Sequence, residues 1–300
     1  MTRWAVLGTL VAVGGLSIGM SAARQAGQTR TVQVEKLHDN LFVLRGGGGN
    51  TAVFVTADGV AVVDTKNPGW GQPILDKIKE LSPKPVTLLI NTHTHGDHVS
   101  GNVEFPASVD VVAHANTKAN MEKMKIFAEN ANRGMVKRTF TDRMTIGKGP
   151  DQIDLYYFGP GHTNGDAFVV FPSLRTMHAG DIFGNKGLPL IDAGNGGSVL
   201  HVASTLQKAH AAIKNVETII NGHMATQTTW DDLRMFADFN QDFLTWAQAE
   251  LKAGRTPEEA AKGWTVPEKY VKAGYSTTAP TMFGGLVGRL QRLQEEMGKK

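Results

Sequence analysis

The segment His93-Thr94-His95-Gly96-Asp97-His98 places four metal-ligating side chains within six residues, directly after the apolar run Val86-Thr87-Leu88-Leu89-Ile90. Imidazole and carboxylate suit Zn(II) and similar borderline ions, and a strand ending at Asn91 holds the next loop rigidly enough to aim them. Side chains at His-x-His spacing fall on one side of an extended segment, whereas adjacent Asp97 and His98 diverge. One loop of this kind can serve two metal ions.

The chain around this loop has 300 residues and 41% hydrophobic content, enough for a large core in one main domain. Its formal charge of +3 is small and its basic residues are scattered, so no nucleic-acid partner is expected. Arg3, the apolar stretch Trp4 to Met20 and the small residues Ser21-Ala22-Ala23 read as a signal peptide over residues 1–23, cleaved near Ala23 or Ala26. The mature protein is then periplasmic or secreted, with no membrane association after signal removal. Cysteine is absent, so disulfides cannot brace it and every strong metal ligand must be His, Asp or Glu.

Short β-prone runs at 41–44, 51–55 and 60–63, separated by Gly46 to Asn50 and by Ala57-Asp58-Gly59, predict an antiparallel meander. Ile74, Leu75, Ile78 and Leu81 predict a helix over 72–82 that Pro83 and Pro85 end, before the buried strand 86–90. A second series follows: strand 109–113, a helix over about 116–130 running into a polar loop, strands near 153–157, 167–171 and 176–179, helix 199–214 and strand 218–220. The twice-alternating pattern predicts an α/β fold in which two mixed sheets pack together with helices outside, a four-layered αββα sandwich. Residues 231–300 read as a helical extension to a catalytic domain over 31–230, packed on it or at a homodimer surface. Thr256 and Glu259 form a capping box there, with Pro257 at the first helical position.

Three more segments place a ligand just past a strand end: Gly159 to Asp166 with His162, Ala179-Gly180-Asp181, and Asn221-Gly222-His223. Such ends gather on one edge of a layered fold. His93-x-His95-x-Asp97-His98, His162, Asp181 and His223, in that order, resemble the metallo-β-lactamase superfamily signature over roughly residues 40–225. The resemblance implies two Zn(II) ions per chain: His93, His95 and His162 on the first, Asp97, His98 and His223 on the second, and Asp181 bridging. Two such ions activate a shared water near neutral pH and polarise a carbonyl, so no nucleophilic Ser or Cys is needed. Asp97 is the expected catalytic residue, orienting the hydroxide or carrying its proton to the leaving group.

Asp64, at the strand end Val62-Val63-Asp64-Thr65, resembles the family's supporting aspartate, and His178 is either a supporting group or a satisfied core histidine. Lys186 is a candidate for a substrate carboxylate, against the alternative of a solvated surface lysine. Gly46 to Asn50 reads equally as a mobile flap or an ordinary hairpin loop. His114, His201 and His210 have no ligand-like setting. The small-molecule substrate expected is an ester, thioester, lactone or lactam, with β-lactamase activity among the outcomes. A phosphodiesterase or sulfatase of the same fold, or a mononuclear iron oxygenase of the persulfide dioxygenase type, is the alternative. Having Asp181 rather than cysteine departs from the commonest zinc β-lactamase pattern and is more similar to the thioesterase and lactonase branches.

Overall fold

Alternation within the first strands decides the layering. Leu41, Val43, Ala52, Phe54, Ala61, Val63 and Ile90 point one way, into a buried layer shared with Leu155, Val169, Phe171 and Ile220. Their neighbours Phe42, Leu44, Val53, Val62 and Leu89 point the other way, against Ile74 and Ile78 of a covering helix. A strand with both faces buried must sit inside a sandwich.

The computed structural model describes residues 30–298, and the expected signal over 1–23 lies outside the described residues. The first sheet has the order β1 (Gln33–His38), β2 (Leu41–Arg45), β3 (Thr51–Val55), β4 (Val60–Val63), β5 (Val86–Asn91), β6 (Asp110–His114) and β7 (Arg138–Phe140). It is antiparallel up to β4 and parallel from there. The second sheet contains β8 (Arg143–Ile146), β9 (Ile153–Tyr156), β10 (Phe168–Phe171), β11 (Thr176–Gly180), β12 (Thr218–Asn221) and β13 (Thr228–Thr229), in reverse order across the sheet. Only β11 and β12 pair parallel in it, so both sheets are mixed. Phe54 and Phe171 meet between them with ring centroids 5.0 Å apart.

Helix α1 (Gly71–Leu81) covers the first sheet and ends at extended Ser82, just before Pro83. The short α2 (Gly96–Val99) lies inside the histidine loop. The helix expected over 116–130 is two pieces, α3 (Ala115–Met121) and α4 (Lys125–Glu129), because Met124 between them is extended. The asparagines of α3 are committed sideways: Asn116 Nδ2 donates to Asn164 O (2.7 Å) and Asn120 Nδ2 to Asn164 Oδ1 (2.9 Å), which braces the loop carrying His162. The polar loop expected beyond it instead supplies β7 and β8, edge strands of the two sheets.

On the second sheet, Phe168, Val170 and Met177 pack against α5 (Val202–Ala212) and α6 (Trp230–Lys252). After α7 (Pro257–Ala261) and α8 (Glu268–Lys272), helix α9 (Gly285–Gly298) adds Leu290 and Leu293 to the same cluster. The helices after Trp230 thus share one core with the sheet, and the chain from Val32 onward is one compact unit. No helix of the described residues is long and apolar enough to cross a membrane.

Candidate metal centre

Every expected ligand follows a strand that the core holds fixed. Asp64 follows β4, the 93–98 segment follows β5, Asp181 follows β11 and His223 follows β12, while His162 sits in the loop between β9 and β10. Two close approaches require glycine here. A Cβ on Gly222 would run into the Asp181 carboxylate, and one on Gly49 into the His98 ring.

Four of the imidazoles are oriented by hydrogen bonds made away from the cluster. His98 Nδ1 donates to Asp64 Oδ2 at 2.7 Å, His162 Nδ1 to Leu190 O at 2.7 Å and His95 Nε2 to Asp192 Oδ2 at 2.8 Å. His93 Nδ1 lies 3.0 Å from Thr92 Oγ1, whose own proton goes to Asp64 Oδ2, so the hydroxyl accepts from the ring. Each ring is thereby left with its other nitrogen facing inward. Those nitrogens converge: His162 Nε2 is 2.8 Å from His95 Nδ1, and His98 Nε2 is 3.3 Å from His223 Nε2. His93 Nε2 is buried with no hydrogen-bond partner.

Asp181 stands between two groups. Its Oδ2 is 4.0 Å from His93 Nε2, 3.8 Å from His162 Nε2 and 3.1 Å from His223 Nε2, while Oδ1 is 3.3 Å from His98 Nε2. His93, His95, His162 and Asp181 form one set, and Asp97, His98 and His223 another, with ligand atoms within 4.8 Å of one another in each. Asp64, His93 and His98 form a third such set, but Asp64 already accepts from Thr92 N, Thr92 Oγ1 and His98 Nδ1. These bonds make it a support for the rings.

Electrostatically the cluster asks for positive charge at its centre. Burial opposes ionisation of Asp181, yet His98 and His223 hold its carboxyl well below the usual range. Burial also opposes charge on His98, but the Asp181 and Asp64 carboxylates raise it well above an ordinary imidazole. Hydrogen bonds to Asp181 and Asp97 raise His223 to about 9. Burial lowers His162 to about 4 and keeps His93 neutral as well, despite Asp181 beside them.

A cavity of about 440 Å³ opens over the cluster, walled by Asp97 and His223 and by apolar Pro189, Leu190, Met282 and Phe283. The Phe283 ring stacks 6.4 Å from that of His95. The metallo-beta-lactamase superfamily model matches residues 44–223, the span that carries all of these ligands. The chain belongs to the metallo-β-lactamase superfamily. It is 30% identical to a metallo-beta-lactamase type 2 of Elizabethkingia meningoseptica, over 69% of this chain and 85% of that one. It is 31% identical to a hydroxyacylglutathione hydrolase of Nostoc punctiforme over 51% of this chain, and spans about half (52%) of that relative. Among solved structures, the stereoselective inverting sec-alkylsulfatase Pisa1 from Pseudomonas sp. matches with a TM-score of 0.71 at 16% identity, over 90% of this chain and 51% of that one. A metallo-beta-lactamase from Pontibacter korlensis matches with a TM-score of 0.59 at 20% identity, over 70% of this chain and 99% of that one.

Within this superfamily domain some expected residues sit elsewhere. Lys186 does not face the cavity over the cluster: its ammonium pairs with Asp232 Oδ1 at 2.7 Å on the first turn of α6, a position that favours an acidic partner. His178 is a satisfied core histidine, accepting from Gly180 N at Nδ1 and donating to Asn50 O from Nε2. Gly46 to Asn50 is a pinned loop rather than a flap. Gly49 N donates to Asp97 O, Asn50 N donates to Gly222 O, and Gly49 O accepts from the buried Lys66 ammonium at 2.7 Å. His114 caps α3 and His201 accepts from Ser198 Oγ or donates to it, both away from the cluster.

Thr92, Lys66 and Asp192 are the supports that sequence reasoning missed. Thr92 directly precedes the histidine motif, and a hydroxyl there is the signal that was readable. Asp192 lies in an irregular stretch, with only an Asp-x-x-Asn turn to mark it; its carboxylate also accepts from Asn195 N and Nδ2.

Proposed function

We propose that the protein is an exported dinuclear zinc hydrolase that attacks the carbonyl of an ester, thioester, lactone or lactam. The observation that carries this is the set of four imidazoles whose outer nitrogens are each occupied, aiming the inner ones at a shared centre beside Asp181. The donor set fits the ion, being all nitrogen and carboxylate oxygen, with His93 Nε2 buried and unpartnered at the place a cation would satisfy. Zinc bound there supplies Lewis acidity that brings the pKa of water to about 7 and polarises a carbonyl.

The chain's own residues do the rest. His93, His95 and His162, with Asp181, make the first site, and Asp97, His98 and His223 the second, with Asp181 reaching both. Asp97 Oδ2 sits 3.2 Å from His223 Nε2 at the cavity wall, and its carboxyl is lowered: burial opposes this and the His223 hydrogen bond outweighs it. Ionised and a third exposed, it can take the proton of the attacking water and deliver it to the leaving group. Pro189, Leu190, Met282 and Phe283 offer the substrate an apolar wall. The relatives named as β-lactamase and hydroxyacylglutathione hydrolase support acyl chemistry, and the leader-like residues 1–23 support action outside the cytosol.

A panel of nitrocefin, simple lactones, acyl thioesters, aryl esters and phosphodiesters, run on zinc-loaded protein, tests the reading. Turnover of at least one acyl substrate, abolished by chelation and restored by zinc, is expected; turnover confined to phosphodiesters, or none across the panel, contradicts it.

A further inference from the structure

We infer that the cavity beneath the turn leading into α9, beside the metal centre, is a subsite for a substrate carboxylate, with Arg289 as its cation. The cavity holds about 270 Å³ and is walled by Leu190, Val199, Met282 and Phe283, with Asp192, Arg289 and Arg292 as its charged side chains. Leu190, Met282 and Phe283 also wall the cavity over the metal cluster, so the two spaces adjoin.

Arg289 is held in an unusual state. Leu290 and Leu293 seat α9 in the core, which draws Arg289 in with them until it is only 7% exposed. Its Nη1 has no hydrogen-bond partner, and among the described residues no carboxylate pairs with it. The Phe243 ring lies 5.7 Å from the guanidinium carbon and offers it an aromatic face. Burial alone lowers its pKa to about 9. A buried cation without a counter-charge is costly, and an anion in the adjoining cavity removes that cost.

The nearby acids are already committed. Asp192, in the cavity wall, accepts from His95 Nε2 and from Asn195. Glu296 and Glu295 pair with Arg292. Arg292 also lines the space but is paired with Glu295 and Glu296, so the unpartnered Nη1 of Arg289 is the donor left for one carboxylate on a small ring or chain. Lys186, tied to Asp232, leaves this recognition to Arg289. A substrate lying across both spaces puts its carboxylate on Arg289 and its reacting carbonyl at the cluster.

The inference takes the ligand's being a substrate from the hydrolase reading, but its first test needs no turnover. Zinc-loaded protein is titrated calorimetrically with benzoate and with benzamide, its uncharged counterpart. Benzoate should bind at least tenfold more tightly, and Arg289→Met should weaken benzoate at least tenfold while leaving zinc content unchanged. Arg289→Lys, which keeps the charge and loses the fork, should fall between. For a hydrolysed ester carrying a distal carboxylate, Arg289→Met should raise KM at least tenfold with kcat kept, and leave the matching amide unaffected. Equal affinity for benzoate and benzamide, no benzoate binding, or undiminished benzoate binding by Arg289→Met overturns the subsite. Should Arg289→Met fail to fold, Arg289→Lys decides, because a preference for benzoate over benzamide also arises where a carboxylate binds zinc.

Discussion

At the scale of single residues, the ligand side chains are cheap to recognise and the groups that aim them are not. Asp192 is the instructive case. Its carboxylate sits 97 positions from His95 in sequence and 2.8 Å from it in space, and it fixes which ring nitrogen faces inward. Removing such a support costs on the order of 10- to 100-fold in metal affinity or activity. Asp192→Ala should therefore weaken the tighter or weaker zinc step by about that factor, measured by competition with a chromophoric chelator, with the fold intact by circular dichroism. Zinc affinity unchanged in both steps would remove Asp192 from the account. The convergence of His93, His95, Asp97, His98, His162, Asp181 and His223 was legible because their spacing follows strands, whereas Asp192 and Thr92 act through contacts that no local pattern encodes.

At the scale of elements, the glycine loop and Lys66 act as one unit. Lys66 is fully buried with a left-handed backbone (φ 68°), and its ammonium donates to Leu44 O and Gly49 O. Lys66→Met leaves both carbonyls without that donor, which costs about 1–3 kcal/mol and loosens the loop packed on His98. Burial lowers the Lys66 pKa to about 7, against a lesser pull from Asp64, while an unfolded lysine titrates near 10.5. Between those values the unfolded chain binds the extra proton, so this residue adds stability as pH rises from about 7 and loses it as pH falls. Chemical denaturation at several pH values should show lower stability in Lys66→Met and a shallower rise over that window; an unchanged profile would contradict this role. The elements that sequence missed are the edges. β1, β7 and β8 are largely exposed or half-buried, with polar Gln33, Lys36, Arg138 and Arg143 exposed, so they lack the buried apolar runs that made β2 to β5 readable. The expected helix over 116–130 broke for a comparable reason, since its asparagines serve the His162 loop.

At the scale of the molecule, the sandwich carries the ligand loops on one edge and the C-terminal helices close that edge with Met282 and Phe283. Matches to the two β-lactamases cover about 70% of the chain, whereas a match over 90% cannot be reached without the helices after Trp230, so the sulfatase fold extends into them. The four layers were legible from strand and helix periodicities, but for the last helices the sequence left packing on the domain and a dimer surface as alternatives, because packing between α6, α9 and β10 is set by distant contacts. On the proposed function, all these layers serve a two-metal site. Non-denaturing mass spectrometry of the zinc-loaded protein, with turnover followed during stepwise chelation, addresses it most directly. Two zinc ions per chain, with activity lost as they are removed and regained on adding zinc, is the predicted result; a single bound ion at full activity, or iron with oxygen uptake in place of hydrolysis, would contradict it.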